Sequence, residues 1–409
     1  MAQQVGVSGW GQVVPIDRQA AIPKPSSRGE SSSLARSVGG SGKQRPYHAD
    51  MIRPYTLVLA ALAASHLAVA SSAQQAAATQ KPVAVFVLAG QSNMEGKAQN
   101  ILWEHQAVAK DTAEFFAPFR DKQNQQWVTR DDVFIKYFGR HGKLTLGYGS
   151  PNRTGLEYAF GLRVGDALDQ PVLLIKTAWG GRSIRKDFRP PSAGLPSDEA
   201  LAKELAQAQK NVTNRNKKNK RNDPLPTIAD ITRGYGKDYR AMMVEVRSAM
   251  KDCGKLFPEL QGRKLDLRGF VWFQGWNDQY GGAELEYEQN MTHFIKDVRK
   301  DLAAPELPFV IGVMGQNGNK PAKGAMLAIQ KAQLAMQQVP EFAGNVRAVR
   351  TDTLQDEAAA ALYPEWKKRM EEWQRTGSDH AYHYLGSAIW FSRIGYELAD
   401  AALSLQLRK

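Results

Sequence analysis

The chain has 409 residues, 43% hydrophobic and 23% charged, which suits one large or two ordinary globular domains. Its net charge of +13 raises nucleic acid or an anionic polysaccharide as partners, but no zinc-finger, RNA-binding or helix-turn-helix signature accompanies the charge. A single cysteine, Cys253, excludes an intramolecular disulfide and any cysteine-based metal site.

The first 50 residues are rich in Ser, Gly, Pro and Gln, carry no periodicity and are expected to be disordered. Met51-Ile52-Arg53-Pro54-Tyr55 then leads into an apolar run, Thr56 to Ala70, behind one positive charge. Ala68-Val69-Ala70 and Ser71-Ser72-Ala73 offer cleavage sites, so residues 51–73 have the anatomy of a secretory signal peptide. The run is too short and too Ala-rich to read as a membrane span. Such a signal works only at a chain start, which points to translation from Met51 and to residues 1–50 as a misassigned upstream extension. A long n-region and an uncleaved anchor helix are the competing readings. Export without disulfides fits a secreted or periplasmic protein of a bacterial envelope. The sequon Asn211-Val212-Thr213 is then a chance match.

From Lys81 onward, strand-like runs alternate with helical patterns. Strands are expected at Val83–Ala89, Val133–Tyr137, Val172–Lys176, Gly269–Gln274, Phe309–Met314 and Val346–Arg350. Helices are expected at Gly155–Leu168, Tyr239–Lys251, Ala283–Leu302, Ala325–Gln338, Glu357–Trp373 and Leu385–Leu403. The alternation predicts an α/β fold, a parallel sheet covered on both faces. Gln99–Arg130 and Asp187–Tyr235 exceed a minimal fold and read as loop insertions. Within the second, the basic, Asn-rich run from Lys210 to Arg221 is expected to be a solvated surface loop. Cys253 follows an amphipathic stretch and reads as packed rather than catalytic.

The chemistry gathers at three segments. Val83 to Gly96, VAVFVLAGQSNMEG, is a buried strand running into a turn, which presents Ser92 at the carboxyl edge of the sheet. Ser92 there is a candidate nucleophile or a helix cap. The second segment is Trp272-Phe273-Gln274-Gly275-Trp276-Asn277-Asp278, and the third is Asp379-His380-Ala381-Tyr382-His383-Tyr384-Leu385-Gly386. In order and in kind, the three resemble the signatures of the SGNH hydrolases, specifically the sialate O-acetylesterase and acetylxylan esterase branch. The G-x-S-x-G elbow of α/β-hydrolases is absent, because Met94 stands where its second glycine would be.

That resemblance implies a flavodoxin-like three-layer sandwich with a mainly parallel central sheet, spanning residues 81–405. It also implies a serine esterase in which Ser92 attacks an acetyl ester and His383, oriented by Asp379, acts as base. The family usually spaces these two as D-x-x-H; here they are four apart. His383 is preferred because Tyr384-Leu385-Gly386 is expected to open a helix, and His380 is the alternative. His105, His141 and His293 have no carboxylate at a useful spacing or lie in a helical run. Oxyanion donors are expected from the Ser92 N–H, from Gly180 or Gly181, and from the side chain of Gln274 or Asn277, with Gln274 favoured. Gln91 and Asn93 are candidates for substrate contact, with Glu95 beside them. Trp179, Trp276, Tyr280 and Tyr384 are candidates for a sugar platform, and Arg182 and Arg185 could meet a carboxylated or sulfated sugar. The expected substrate is an acetylated oligo- or polysaccharide, with no metal or other cofactor and no nucleic acid. An esterase or lipase of the same fold acting on other acyl esters, or a non-catalytic glycan-binding module, are the competing functions.

Overall fold

The computed structural model describes residues 80–406. The expected signal peptide and the stretch before it lie outside the described residues.

The sheet has seven strands: β1 (Val83–Gly90), β2 (Val133–Tyr137), β3 (Arg140–Lys143), β4 (Val172–Ala178), β5 (Leu265–Phe273), β6 (Phe309–Val313) and β7 (Val346–Arg350). Their spatial order is β3-β2-β4-β1-β5-β6-β7, all parallel except β3, which runs antiparallel to β2. Without the β2–β3 hairpin at one edge, the order of the remaining five is the flavodoxin-like 2-1-3-4-5.

β1 explains the three layers. All its residues from Val83 to Ala89 are fully buried, and alternate side chains enter different cores. Ala84, Phe86 and Leu88 face helices α1 (Glu157–Ala167) and α7 (Ala388–Gln406). Val83, Val85, Val87 and Ala89 face α4 (Lys237–Lys251), α5 (Tyr287–Asp301) and α6 (Gly324–Ala335). A strand covered on both sides reads as an unbroken apolar run.

Four expectations need correcting. The Lys210–Arg221 run is not a loop to its end, because α2 (Asp198–Asn219) continues through most of it. Ser197 caps α2 by accepting from Ala200 N, Asp198 and Glu199 sit in its first turn, and Lys217 and Lys218 sit in its last, matching the helix dipole. Its short apolar face, Leu201 with Leu205 and Ala208, packs on Ile231 and Tyr235 at and just beyond α3 (Ile228–Gly234), outside the basic window. The single helix expected at Glu357–Trp373 divides into Glu357–Leu362 and Met370–Thr376, separated by the Pro364-containing turn Tyr363–Glu365. α7 begins at Ala388 rather than Leu385, because Tyr384, Leu385 and Gly386 all have left-handed backbones. β3 is missing from the expected strands: it is a polar edge strand, Arg-His-Gly-Lys, with no apolar run to mark it.

Candidate active site

β1 ends against the end of β5. Gly90 has φ +156°, and a Cβ there would fall 2.1 Å from the Phe273 carbonyl oxygen, so only glycine permits this approach. The Gln91 N–H donates to that same oxygen at 3.2 Å. The chain then makes one helical turn, Ser92–Glu95, whose cap position is Gln91 and whose first N–H groups receive no side-chain cap. Ser92 therefore does not do the work of a helix cap. It is 6% exposed, at the sheet's carboxyl edge.

Its two neighbours fasten this turn to the other two segments. Gln91 Oε1 accepts from the Gly275 N–H at 3.0 Å, and Gln91 Nε2 donates to Asn277 Oδ1 at 3.1 Å. Asn93 Nδ2 donates to the Tyr382 carbonyl at 3.1 Å. Both side chains are almost fully buried, and their bonds tie the three segments together. Through Asn93, the residue after Ser92 is bonded to the residue before His383.

His383 Nδ1 lies 3.1 Å from Asp379 Oδ1. Asp379 Oδ1 accepts from the His380 N–H at 2.7 Å, and Oδ2 accepts from Arg153 Nη1 at 2.7 Å. The four-residue spacing is absorbed by a tight loop. Ser378 N and Asp379 N both donate to the Leu385 carbonyl, and Leu385 N donates back to the His380 carbonyl. The left-handed Tyr384 and Leu385 make that reversal. Exposed His380 points elsewhere and stacks on Tyr382, with ring centroids 5.2 Å apart.

Burial alone would raise the Asp379 pKa, but His383, the His380 N–H and Arg153 together hold it below the ordinary carboxylate value. A depressed folded-state pKa gives stability that is present above the unfolded value and lost as pH falls through the folded one. Asp379 thus stays ionised throughout the weakly acidic range. Arg153 Nη1 also donates to the Lys97 carbonyl at 2.6 Å, which fixes the guanidinium. Arg153→Met is expected to lower kcat by about 10- to 100-fold, because a less well-held carboxylate orients its base poorly. The acid limb of the pH–rate profile should move upward, since burial of Asp379 then acts with less opposition. A profile shared with the parent would assign Arg153 to packing alone.

The second glycine segment follows β4. Trp179 N donates to the Gly90 carbonyl at 3.3 Å, and the Cβ position of Gly180 is 3.9 Å from Ser92 Cβ. Gly180 is thus the glycine beside Ser92; Gly181, with φ +69°, faces open space.

The two amide candidates differ. Gln274 Nε2 donates to the Arg182 carbonyl at 2.9 Å and to Asp278 Oδ2 at 2.5 Å, so both its N–H groups are engaged inside the protein. Asn277 is anchored through Oδ1 by Gln91, which leaves its Nδ2 the freer donor. The expected preference for Gln274 does not fit this geometry. Fully buried Asp278 accepts from the Ile184 and Arg185 N–H groups, each at 3.0 Å, and burial pushes its pKa up to about 6.

Other candidates are redistributed. Tyr384 is fully buried, its hydroxyl accepting from Gly315 N at 2.8 Å, so it cannot meet a sugar. Arg182 pairs with Asp238 at 2.5 Å and Arg185 with Glu286 at 3.4 Å, and both side chains remain partly exposed. Glu95 pairs with Lys97 at 2.8 Å. Trp179 packs between Phe138 and Phe188 and lines a cleft of about 630 Å³ together with Gly180, Glu95 and Arg140. Trp276 lies half-buried beside Tyr382, 5.9 Å between centroids, and Tyr280 is exposed.

Three residues escaped the sequence reading: Arg153, Lys176 and Tyr382. Buried Lys176 donates to the Glu95 and Tyr148 carbonyls and to Glu157, each at 2.8 Å, bracing the Ser92 turn from below. A lysine inside an otherwise apolar strand is the sequence signal for it. Tyr382 is 39% exposed and meets His383 edge-on at 4.4 Å.

The family model described as carbohydrate esterase, sialic acid-specific acetylesterase matches residues 82–219 and 226–362. The match stops before Asp379 and His383. A comparison with curated proteins finds no match. Among solved structures, a protein from Arabidopsis thaliana is 17% identical with a TM-score of 0.44, over 79% of this chain and 99% of that one. A carbohydrate acetylesterase from Xanthomonas citri is 15% identical with a TM-score of 0.36, over 67% of this chain and 51% of that one. NanS is 14% identical with a TM-score of 0.38, over 68% of this chain and 79% of that one.

Proposed function

The chain belongs to the sialic acid-specific acetylesterase family of carbohydrate esterases, and from that premise we propose that it removes O-acetyl groups from carbohydrates through an acetyl-serine on Ser92. One observation carries the reading. Asn93 and Tyr382, the neighbours of Ser92 and His383, are hydrogen-bonded to each other, while His383 rests on a carboxylate held ionised.

In the proposed cycle His383 takes the proton of Ser92 Oγ as that oxygen bonds to the acetyl carbonyl carbon. The carbonyl π electrons move to oxygen, giving a tetrahedral oxyanion. The Ser92 and Gly180 N–H groups and Asn277 Nδ2 are the donors proposed to meet it. The oxyanion collapses, the bond to the sugar oxygen breaks, and His383 returns the proton to that oxygen. Water, deprotonated by His383, then attacks the acetyl-serine; the bond to Ser92 Oγ breaks, His383 returns the proton to Oγ, and acetate leaves. Asp379 supports the imidazolium in both halves. The apolar run behind Met51 supports export, and with it a secreted or periplasmic enzyme meeting acetylated polysaccharide outside the cytoplasm.

Acetate release from acetylated xylan, acetylated glucomannan and acetylated sialic acid conjugates tests the reading. Release from at least one is expected; none from any, by folded protein, would overturn it. The oxyanion assignment has its own test. Asn277→Ala should lower kcat about 10²-fold or more with KM little changed. Gln274→Ala should chiefly reduce stability, because it leaves Asp278 short of a donor. The reverse pattern would restore Gln274 as the side-chain donor.

A further inference from the structure

A second cleft, of about 510 Å³, opens beside the Asp379–His383 loop. Gln99, His105, Trp366, Met370, Gln374 and Ser378 are among the residues that line it. Its charged side chains Glu371 and Arg375 are exposed and paired with each other at 3.0 Å, so between them they bring no net charge to the cleft. Lys367 has its Nζ 5.6 Å from the Trp366 ring centroid but does not line the cleft.

The cleft is joined to the proposed centre by a row of rings. Trp366 meets His380 at 5.7 Å, His380 stacks on Tyr382 at 5.2 Å, and Tyr382 reaches both His383 and Trp276, at 4.4 and 5.9 Å. Tyr363 lies parallel to Trp366 and steadies the indole. Large apolar side chains are unusually exposed along this line: Ile101 at 72%, Met370 at 40% and Tyr382 at 39%. Clustered exposed apolar groups mark a binding surface, and aromatic rings with polar neighbours suit the C–H faces and hydroxyls of sugars. The balanced Glu371–Arg375 pair gives the cleft no net charge to attract an ion, which favours an uncharged ligand.

We propose that this cleft is an accessory subsite for uncharged sugar units of the same chain whose acetyl group is presented to Ser92, with Trp366 as the stacking residue. The subsite extends recognition beyond the acetylated unit, so a polysaccharide binds more tightly than a free acetylated sugar. This rests on the deacetylase reading above.

The test compares parent protein with Trp366→Ala and Trp366→Phe on acetylated xylan, acetylated glucomannan and 4-nitrophenyl acetate. Trp366→Ala should raise KM for at least one polymer about tenfold, with kcat and the turnover of 4-nitrophenyl acetate within about twofold of the parent. Trp366→Phe should recover most of the loss. Equal losses on polymer and small ester, or no change on either polymer, would overturn the subsite. Gel retardation of Ser92→Ala protein by the deacetylated polymers reads the cleft without turnover. Retardation that disappears in the Ser92→Ala, Trp366→Ala double variant supports the subsite even if the deacetylase reading fails, and no retardation by either polymer overturns it.

Discussion

Ser92→Ala is expected to reduce acetate release by about 10⁴-fold or more while leaving the fold intact. The size follows from the mechanism: without Oγ no covalent intermediate forms, and the remaining donors can only assist direct attack by water. The intact fold follows from the surroundings. Gln91 and Asn93, not Ser92, supply the side-chain bonds that fasten this turn to the two other segments. Gly90 and Phe273 brace it through backbone atoms, and Lys176 Nζ donates to its Glu95 carbonyl. A thermal midpoint close to the parent's, measured beside the lost activity, separates missing chemistry from missing structure. Activity retained at even a tenth of the parent level would remove Ser92 from the mechanism.

His383→Ala is expected to cost about as much, again on the order of 10⁴-fold, because nucleophile and base act as a unit and their losses do not add. His380→Ala is the informative control. His380 faces Tyr382 and Trp366 rather than the carboxylate, and its backbone N–H, which a substitution leaves in place, is what holds Asp379. Its loss should cost less than about tenfold on a small acetate ester. A large loss at His380 with a small one at His383 would exchange their roles. Equal kcat/KM losses in the double variant Ser92→Ala, His383→Ala and in each single variant would support one shared step.

Much of this arrangement was legible in the chain. The inner parallel strands announce themselves because burial on both faces demands largely apolar runs, and the turns after β1 and β5 carry the polar residues that such runs exclude; β7, Val-Arg-Ala-Val-Arg at the sheet edge, is partly exposed and carries only an alternating pattern. The edge strand Arg140–Lys143 is polar and escaped for the same physical reason. The Lys210–Arg221 run misled because a helix packed by one short apolar stripe has little periodicity in its distal half. Within the site, residue type identified Ser92, Asp379 and His383 as candidates, but it could not apportion the amides. Whether Gln274 or Asn277 is free depends on the Arg182 carbonyl, from a loop more than 90 residues away, and on Asp278 in the next turn. Arg153 was illegible on similar grounds, since its carboxylate partner lies 226 positions along the chain.

The most direct measurement of the central claim is labelling by a fluorophosphonate probe, which traps only an activated serine, followed by peptide mapping. The proposed mechanism yields one labelled peptide, carrying Ser92. Labelling should be slowed by acetylated polysaccharide and abolished in Ser92→Ala and His383→Ala. Label on another serine, or labelling of Ser92 that persists without His383, would contradict it.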